Sequence, residues 1–494
     1  MRLGELLGGR AVILCALTPD FAAADFARTH PLPPVSVPTP LQQELLPKAI
    51  AMLSDEVPCA LYFDLDAFEA TLRDVKQSFP PDTMHAIAMK ANPLAACLLI
   101  AKELGFGCEV ASPAELEHAM RLGFTPDRIV MDSPAKTRRD LRAALAAGVL
   151  LNADNLDELV RIDEILASEY GGGGTLGLGT CRSRIGIRVN PQLGEGSIAA
   201  TGTIAPMSKF GVPLTEAKAE LLQSFRTFRW LTGVHCHVGS QGCGLELLVS
   251  GARAALALAD EINAAAGRPQ VTLVDVGGGL PADYASDEPN ELMPTRLTPG
   301  RYAAALRAQL PGLLGGGRYT VVTEFGRFAS AKCALTISKV EYVKRAGGRR
   351  IATVHCGADL FLRTAYQPAN WPHRVSAWDA DGNFLEPAAD GDVWDVVGPL
   401  CFRGDIVAQG VRLTSRLQSG HFVCVHDTGA YTLAMFSKYN SRQAPPAYGV
   451  RNGGRTVYQI ASGETVDDAL RLWQLPLSHP QAAAAGCDCE RRAG

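Results

Sequence analysis

The feature that most narrows the fold is an alternation. Between residues 85 and 326, eight short apolar or β-branched runs are separated by longer runs rich in Ala, Leu and Glu. The short runs are HAIAMK, FGCEVAS, RIVMDSP, VLLNAD, IGIRVNP, LTGVHCHVGS, VTLVDVGGG and YTVVTEFG. Between them, SPAELEHAMRLG, AKTRRDLRAALAAG, NLDELVRIDEILASEYG and LELLVSGARAALALADEINAAAG repeat apolar residues three and four apart and end in Gly. Those are the marks of amphipathic helices with glycine C-caps. Strand–helix alternation at this length predicts a parallel (β/α)8 TIM barrel, an α/β fold. An open doubly wound sheet is the competing arrangement.

After about residue 330 the pattern changes. AKCALTISKVEYVKR, RRIATVHCG, DVWDVVGPLC, GHFVCVHDTGAYT and RTVYQIASGE are strand-like, and helical periodicity returns only in TVDDALRLWQL. A second, mostly β domain follows from this. The expected division is an irregular leader over 1–57, a barrel over 58–328 and a β domain over 329–494.

The chain has 494 residues and a net charge of -4, which gives no electrostatic reason to expect nucleic acid or an anionic membrane as partner. No apolar run approaches the ~20 residues of a membrane span. Thirteen scattered cysteines form no framework and point to a reducing compartment. His235-Cys236-His237 and Cys487-Asp488-Cys489 lack the spacing of a structural zinc site, so no metal is expected. Residues 1–40 fit neither a signal peptide nor a transit peptide. The cytoplasm is the expected location, with an organelle address in that segment as the other reading.

In a (β/α)8 barrel, chemistry gathers at the C-terminal ends of the strands. There stand Lys90, Glu109, Arg188, Asn190, His237, Ser240, Gly277, Gly278, Gly279, Glu324 and Arg327. Each has a plain structural reading. Lys90 could snorkel to solvent, His237 could sit in a core, and Glu324 with Arg327 could be a weak surface pair. Together on one rim they suit another purpose. Glycines after a strand free backbone N–H groups for a phosphate, and Ser240 and Arg327 add donors. A lysine in an apolar wall can lose its proton and form a Schiff base. An acid can keep a pyridine ring protonated while an imidazole stacks on it. These are the needs of pyridoxal 5'-phosphate.

The segments AMKANP, GFGCEVASPAEL, MDSPAKT, NADNLDEL, MSKFGV, HCHVGSQ, DVGGGLP, EFGRF, GPLCFRGD and DTGAYT, spread over about residues 58–475, resemble in order the group IV, alanine-racemase-fold decarboxylases that use pyridoxal phosphate. Diaminopimelate, ornithine and arginine decarboxylases belong to that family. The resemblance implies that Lys90 carries the cofactor, His237 stacks on its ring and Glu324 bonds its nitrogen. It further places Ser240, Gly277 to Gly279, Gly326, Arg327 and Tyr431 around the phosphate, with Glu109 and Arg188 nearby. Cys401 matches a cysteine that the family supplies across a homodimer interface to help protonate Cα, so that two chains share their active sites.

The substrate is an amino acid, and here the chain departs from the family. Phe402 stands where an acid usually grips the distal ammonium. HCGADLFLRTAY keeps Arg363 of a carboxylate-binding segment, but His355 replaces its Asp and Tyr366 comes one position early. Arg327, Arg363, Tyr366, Phe402 and Tyr431 are therefore the expected substrate-facing set, with Asp359 and Asp405 as candidate replacements for the missing acid. The expected reaction is decarboxylation of meso-diaminopimelate to lysine. The alternatives are an ornithine, lysine, arginine or carboxynorspermidine type of polyamine metabolism, a racemase, and a non-catalytic regulatory homologue.

Overall fold

The computed structural model describes residues 38–286, 297–387 and 392–474. Most of the expected leader and Cys487-Asp488-Cys489 lie outside them.

Eight parallel strands close into a barrel. They are β2 (Met84–Ala88), β3 (Gly107–Val110), β4 (Ile129–Asp132), β5 (Leu150–Ala153), β6 (Ile185–Asn190), β8 (Leu231–His235), β9 (Leu273–Asp275) and β10 (Thr320–Thr323), with β10 pairing back onto β2. Each of the eight runs read from the sequence supplies one strand. A two-residue strand, β7 (Val212–Pro213), pairs with β6 outside the ring. Several helices between strands begin on side-chain caps, among them Ser112 for α4 (Pro113–Arg121), Thr137 for α5 (Arg138–Ala147) and Asn155 for α6 (Leu156–Glu169). α5 and α8 (Leu245–Ala266) end on Gly148 and Gly267, both left-handed, as the glycine signal predicts.

The strand period of two sorts the barrel side chains. Ile87, Met131, Leu151, Ile187 and Val274 face outward and join the large core under the helices. Met84, Ala86, Val130, Leu150, Leu273 and Val322 form a separate apolar plug inside the ring. Two residues further along the strands, the inward positions become Asp132, Asn152, His235, Asp275 and Glu324, all buried. The barrel is thus apolar at its base and charged one layer higher.

The second sheet runs β15-β14-β12-β11-β1-β17-β18, with β16 pairing β11 and β13. It contains β11 (Ala334–Ala346), β12 (Arg349–Val354), β13 (Val375–Trp378), β14 (Val393–Val397), β15 (Ile406–Arg412), β16 (Phe422–Val425), β17 (Ala447–Arg451) and β18 (Thr456–Ala461).

Two sequence expectations change here. Residues 40–51, assigned to an irregular leader, form helix α1 (Pro40–Ala51), which starts on a Thr39–Gln42 capping box. β1 (Cys59–Asp64), assigned to the barrel, lies in the second sheet, antiparallel to β11 and parallel to β17. The cause is visible in its side chains. Cys59, Leu61 and Phe63 join the main core, while Ala60 and Tyr62 are covered by Leu45, Leu46, Ala49 and Ile50 of α1. One face of the strand is thus covered by the main core and the other by α1.

Candidate active site

Lys90 stands in a single 3-10 turn, Met89–Ala91, just past the end of β2. Its Nζ donates to Glu109 Oε1 at 2.6 Å. Its side chain is 37% exposed, whereas that of Glu109 is fully covered, so the amine alone opens onto free space. The wall around Lys90 is not apolar, which corrects the sequence expectation. Burial opposes its charge, but Glu109, Glu324, Tyr431 and Asp132 outweigh burial and raise its pKa. Burial, helped by Asp132, pushes the Glu109 carboxyl up in spite of Lys90.

Below this pair lies a charged layer that the sequence reading passed over. Arg188 Nη1 donates to Asp132 Oδ2 at 3.2 Å, and the guanidinium also lies 4.4 Å from the centre of the Phe210 ring. His235 sits between Asp132 and Asp275. Asn152 Nδ2 donates to Asp275 at 3.1 Å. Asp132, His235 and Glu324 bring three potential ligand atoms within 4.8 Å of one another. Arg188 already occupies Asp132, and both His235 nitrogens face acids, so the cluster carries its own counter-charges.

His237 follows β8. Its Nδ1 accepts from the Gly278 N–H at 3.0 Å, and burial, with Arg188 and Lys90 adding to it, drives its pKa well below the usual range. The imidazole is therefore neutral. The glycine turn after β9 is required by crowding. Gly277 has φ +65°, and a Cβ on Gly278 would sit 2.4 Å from the Glu324 carbonyl oxygen. Two of the three expected phosphate donors are committed within the turn: Gly277 N–H to Asp275 Oδ1 and Gly278 N–H to His237. Glu324 is 3% exposed, and neither carboxyl oxygen has a hydrogen-bond partner. Burial and Asp275 push its pKa well above the carboxylate range, while His235 pulls it down.

Gly326 packs so tightly that a Cβ there would meet those of Ala88 and Ala91 at under 3 Å. The next residue, Arg327, opens the short helix α10 (Arg327–Ser330). It donates from Nε to Ser240 Oγ at 3.1 Å and from Nη1 to Tyr284 at 2.7 Å. The second sheet closes over this point. Tyr431 donates its N–H to Ala91 O in the lysine turn, at a φ of +57° that strains a non-glycine residue. Arg327 and Arg363 both lie against the rings of Trp371 and Tyr431, 4.4 to 4.9 Å from their centres. Arg327 Nη2 and Arg363 Nη1 are buried without partners. These groups line a narrow cleft. Arg363 comes from helix α11 (Leu362–Tyr366).

Other expected residues fall elsewhere. Asn190 donates to Ala205 O and holds a loop. Cys401 is exposed; its N–H goes to Asn440 and its carbonyl accepts from Tyr439. Phe402 stacks on the exposed ring of Tyr366 at 6.0 Å and meets the edge of Tyr439. Asp359 and Asp405 do not replace the missing acid. Asp359 accepts from Gly357, Leu360 and Arg442, and Asp405 from the N–H groups of Ala358 and Leu400. Both carboxylates are consumed in ordering loops. His355 pairs with Glu341.

The residues present fit pyridoxal phosphate. Glu324 offers a buried carboxyl with both oxygens unpartnered, as a ring nitrogen requires. His237 offers a neutral ring face, Lys90 a half-open amine, and Arg327 an unpaired N–H. The signal for the charged layer was present in the sequence: Asp132, Asn152, His235 and Asp275 each stand two residues beyond an inward-facing Val130, Leu150, Gly233 or Leu273.

Comparison with known proteins agrees. Residues 65–331 match the family model of the pyridoxal-dependent decarboxylase, pyridoxal binding domain. The diaminopimelate decarboxylase of Pseudomonas fluorescens is 29% identical over 413 residues, 81% of this chain and 91% of that one. That of Pseudomonas aeruginosa is 30% identical over 77% of this chain and 84% of its own length. The crystal structure of diaminopimelate decarboxylase from Helicobacter pylori complexed with L-lysine superposes with a TM-score of 0.73 at 25% identity, over 86% of this chain and 98% of that one. Fold, site and comparisons lead to one conclusion: the chain belongs to the pyridoxal-dependent decarboxylases, enzymes that remove CO2 from an amino acid with the help of pyridoxal phosphate.

Proposed function

We propose that the substrate is meso-diaminopimelate and the product lysine. The observation that carries this is the pair Arg327, buried, and Arg363, half-buried, each with one covered N–H group lacking a partner beside one cleft. Two such cations next to each other repel unless anions join them. The cofactor phosphate is one anion, and a second carboxylate on the substrate is the other. The relatives named as diaminopimelate decarboxylases support the same reading.

When bound, pyridoxal phosphate supplies the electron sink for the pair left on Cα as CO2 departs. The rest falls to the chain. Lys90 would hold the cofactor, with Glu109 orienting its amine. His237, neutral and oriented by the Gly278 N–H, would offer its imidazole face to the ring. Glu324 would partner the ring nitrogen. Ser240, the Gly277–Gly279 turn, Gly326, Arg327 and Tyr431 would hold the phosphate, and Arg188 fixes Asp132. Tyr366 and Phe402 place aromatic surface at the outer edge of the site. The chain works as a homodimer in which Cys401 enters the partner's site. Its exposure, and the exposed rings of Tyr366 and Tyr439 around it, support that role.

The test is CO2 release from a panel of meso-diaminopimelate, ornithine, lysine, arginine and carboxynorspermidine. Turnover confined to diaminopimelate is expected. Faster release from any of the others would overturn the assignment.

A further inference from the structure

His235 is fully buried, and none of the roles above uses it. Its Nε2 lies 3.3 Å from Asp132 Oδ2 and its Nδ1 3.2 Å from Asp275 Oδ2. An acid facing each ring nitrogen favours the imidazolium, which has two donors, although neither contact is an aligned hydrogen bond. Asp132 and Asp275 are themselves fixed, the first by Arg188 and the second by Asn152 and the Gly277 N–H. The cage places a permanent cation within 4.8 Å of the Glu324 carboxyl.

The charges around the site decide what that cation does. Lys90, Arg188 and His235 stand against Glu109, Asp132, Asp275 and Glu324. One negative charge is left over, which a protonated ring nitrogen cancels. Removing His235 takes a cation from beside Glu324 and raises the cost of its carboxylate. The proton then moves from the ring to Glu324: the N–H bond breaks, an O–H bond forms, both groups become neutral, and the total charge is unchanged.

We propose that His235 is a positioning residue whose imidazolium, caged by Asp132 and Asp275, favours the Glu324 carboxylate over its protonated form and thereby biases the shared proton toward the cofactor's ring nitrogen. This rests on the reading that Glu324 faces that nitrogen. Unit charges about 5 Å apart at interior polarity bias a proton equilibrium by about 10²-fold.

The experiment is solid-state nitrogen NMR of the holoenzyme loaded with ring-15N pyridoxal phosphate. The wild-type signal is expected at the protonated-pyridine position. In His235→Gln it moves to the unprotonated position, and kcat falls about 10²-fold with KM nearly unchanged. The double variant His235→Gln with Asp275→Asn removes one charge of each sign and brings the signal back. An unchanged signal in His235→Gln, with only a lower melting temperature, overturns the proposal. If that variant does not fold, His235→Asn takes its place: an unprotonated ring supports the proposal, a protonated one overturns it. Glu324→Gln is the reference. If it leaves the ring protonated, the reading of Glu324 falls and this inference with it. If the signal moves in Glu324→Gln but not in His235→Gln, the inference about His235 falls alone.

Discussion

Lys90 Nζ and Glu109 Oε1 lie 2.6 Å apart, tying the turn after β2 to strand β3. The bond holds the amine in place but also holds its proton, and Lys90 must lose that proton to take up the cofactor. Glu109→Gln removes the largest of the charges that raise the Lys90 pKa. Cofactor uptake by the apoenzyme, followed by its visible absorbance, is expected to keep its form but shift to lower pH by more than about one unit. Borohydride reduction of the loaded enzyme should label the Lys90 peptide, and Lys90→Ala should abolish that label. An unshifted uptake profile would separate Glu109 from the lysine.

Arg363 is held between Trp371 and Tyr431 with one N–H unpaired. If it reads the second carboxylate, Arg363→Ala should lower kcat/KM for meso-diaminopimelate by about 10- to 10²-fold, the cost of ~1.5–3 kcal/mol for a hydrogen bond to a charged group. The loss should appear in KM. Binding of lysine to the variant, which lacks that carboxylate, should change little. Equal losses for both ligands would place Arg363 on the cofactor instead.

Among the described residues, Cys401 hydrogen-bonds through its backbone, to the side chains of Asn440 and Tyr439. Mixing inactive Lys90→Ala chains with inactive Cys401→Ala chains should give each mixed dimer about half the wild-type activity, because one of its two sites is intact, and a fully exchanged mixture about a quarter. No recovery after subunit exchange, verified by mass, would place the whole site within one chain.

His85 faces the helices rather than the barrel interior. Its Nδ1 lies 2.7 Å from Thr323 Oγ1, and its ring packs against Phe79 and Phe106. Burial lowers its pKa to about 4. A histidine depressed in the folded state favours folding fully above its unfolded pKa near 6.5, and that contribution is lost as pH falls toward 4. The loss amounts to about 3 kcal/mol. Urea unfolding at pH 7 and pH 4 should show that His85→Gln narrows the stability difference by about that amount. An unchanged difference would mean that the imidazole is reached by water.

The barrel was legible because its strands are short and apolar and alternate with helices, several of which start on a side-chain cap or end on a glycine. The rim residues were legible because the fold puts strand ends together: Lys90, His237, Glu324 and Arg327 meet although they are up to 237 residues apart in sequence. What escaped was pairing. Nothing local says that β1 joins β11 and β17, since a run buried on both faces looks the same in either sheet. Asp132, His235 and Asp275 each resemble a solvated strand end until the ring closes and turns all three inward. Asp359 and Asp405 were misread for the opposite reason. Their charge suggested a ligand, while backbone N–H groups had already claimed them.

The place of β1 has a consequence for how the chain is made. This strand leaves the ribosome long before its neighbours: β11 begins 270 residues after β1 ends, and β17 later still. At ~10 residues per second that is roughly half a minute during which a six-residue apolar strand has neither partner. The barrel can close in that interval, but the second sheet cannot, so the lid over Lys90 is among the last parts to form. The nascent enzyme must therefore pass through a stage with a finished barrel, an open mouth and a bare strand edge, the stage at which it is most exposed to pairing with the wrong chain.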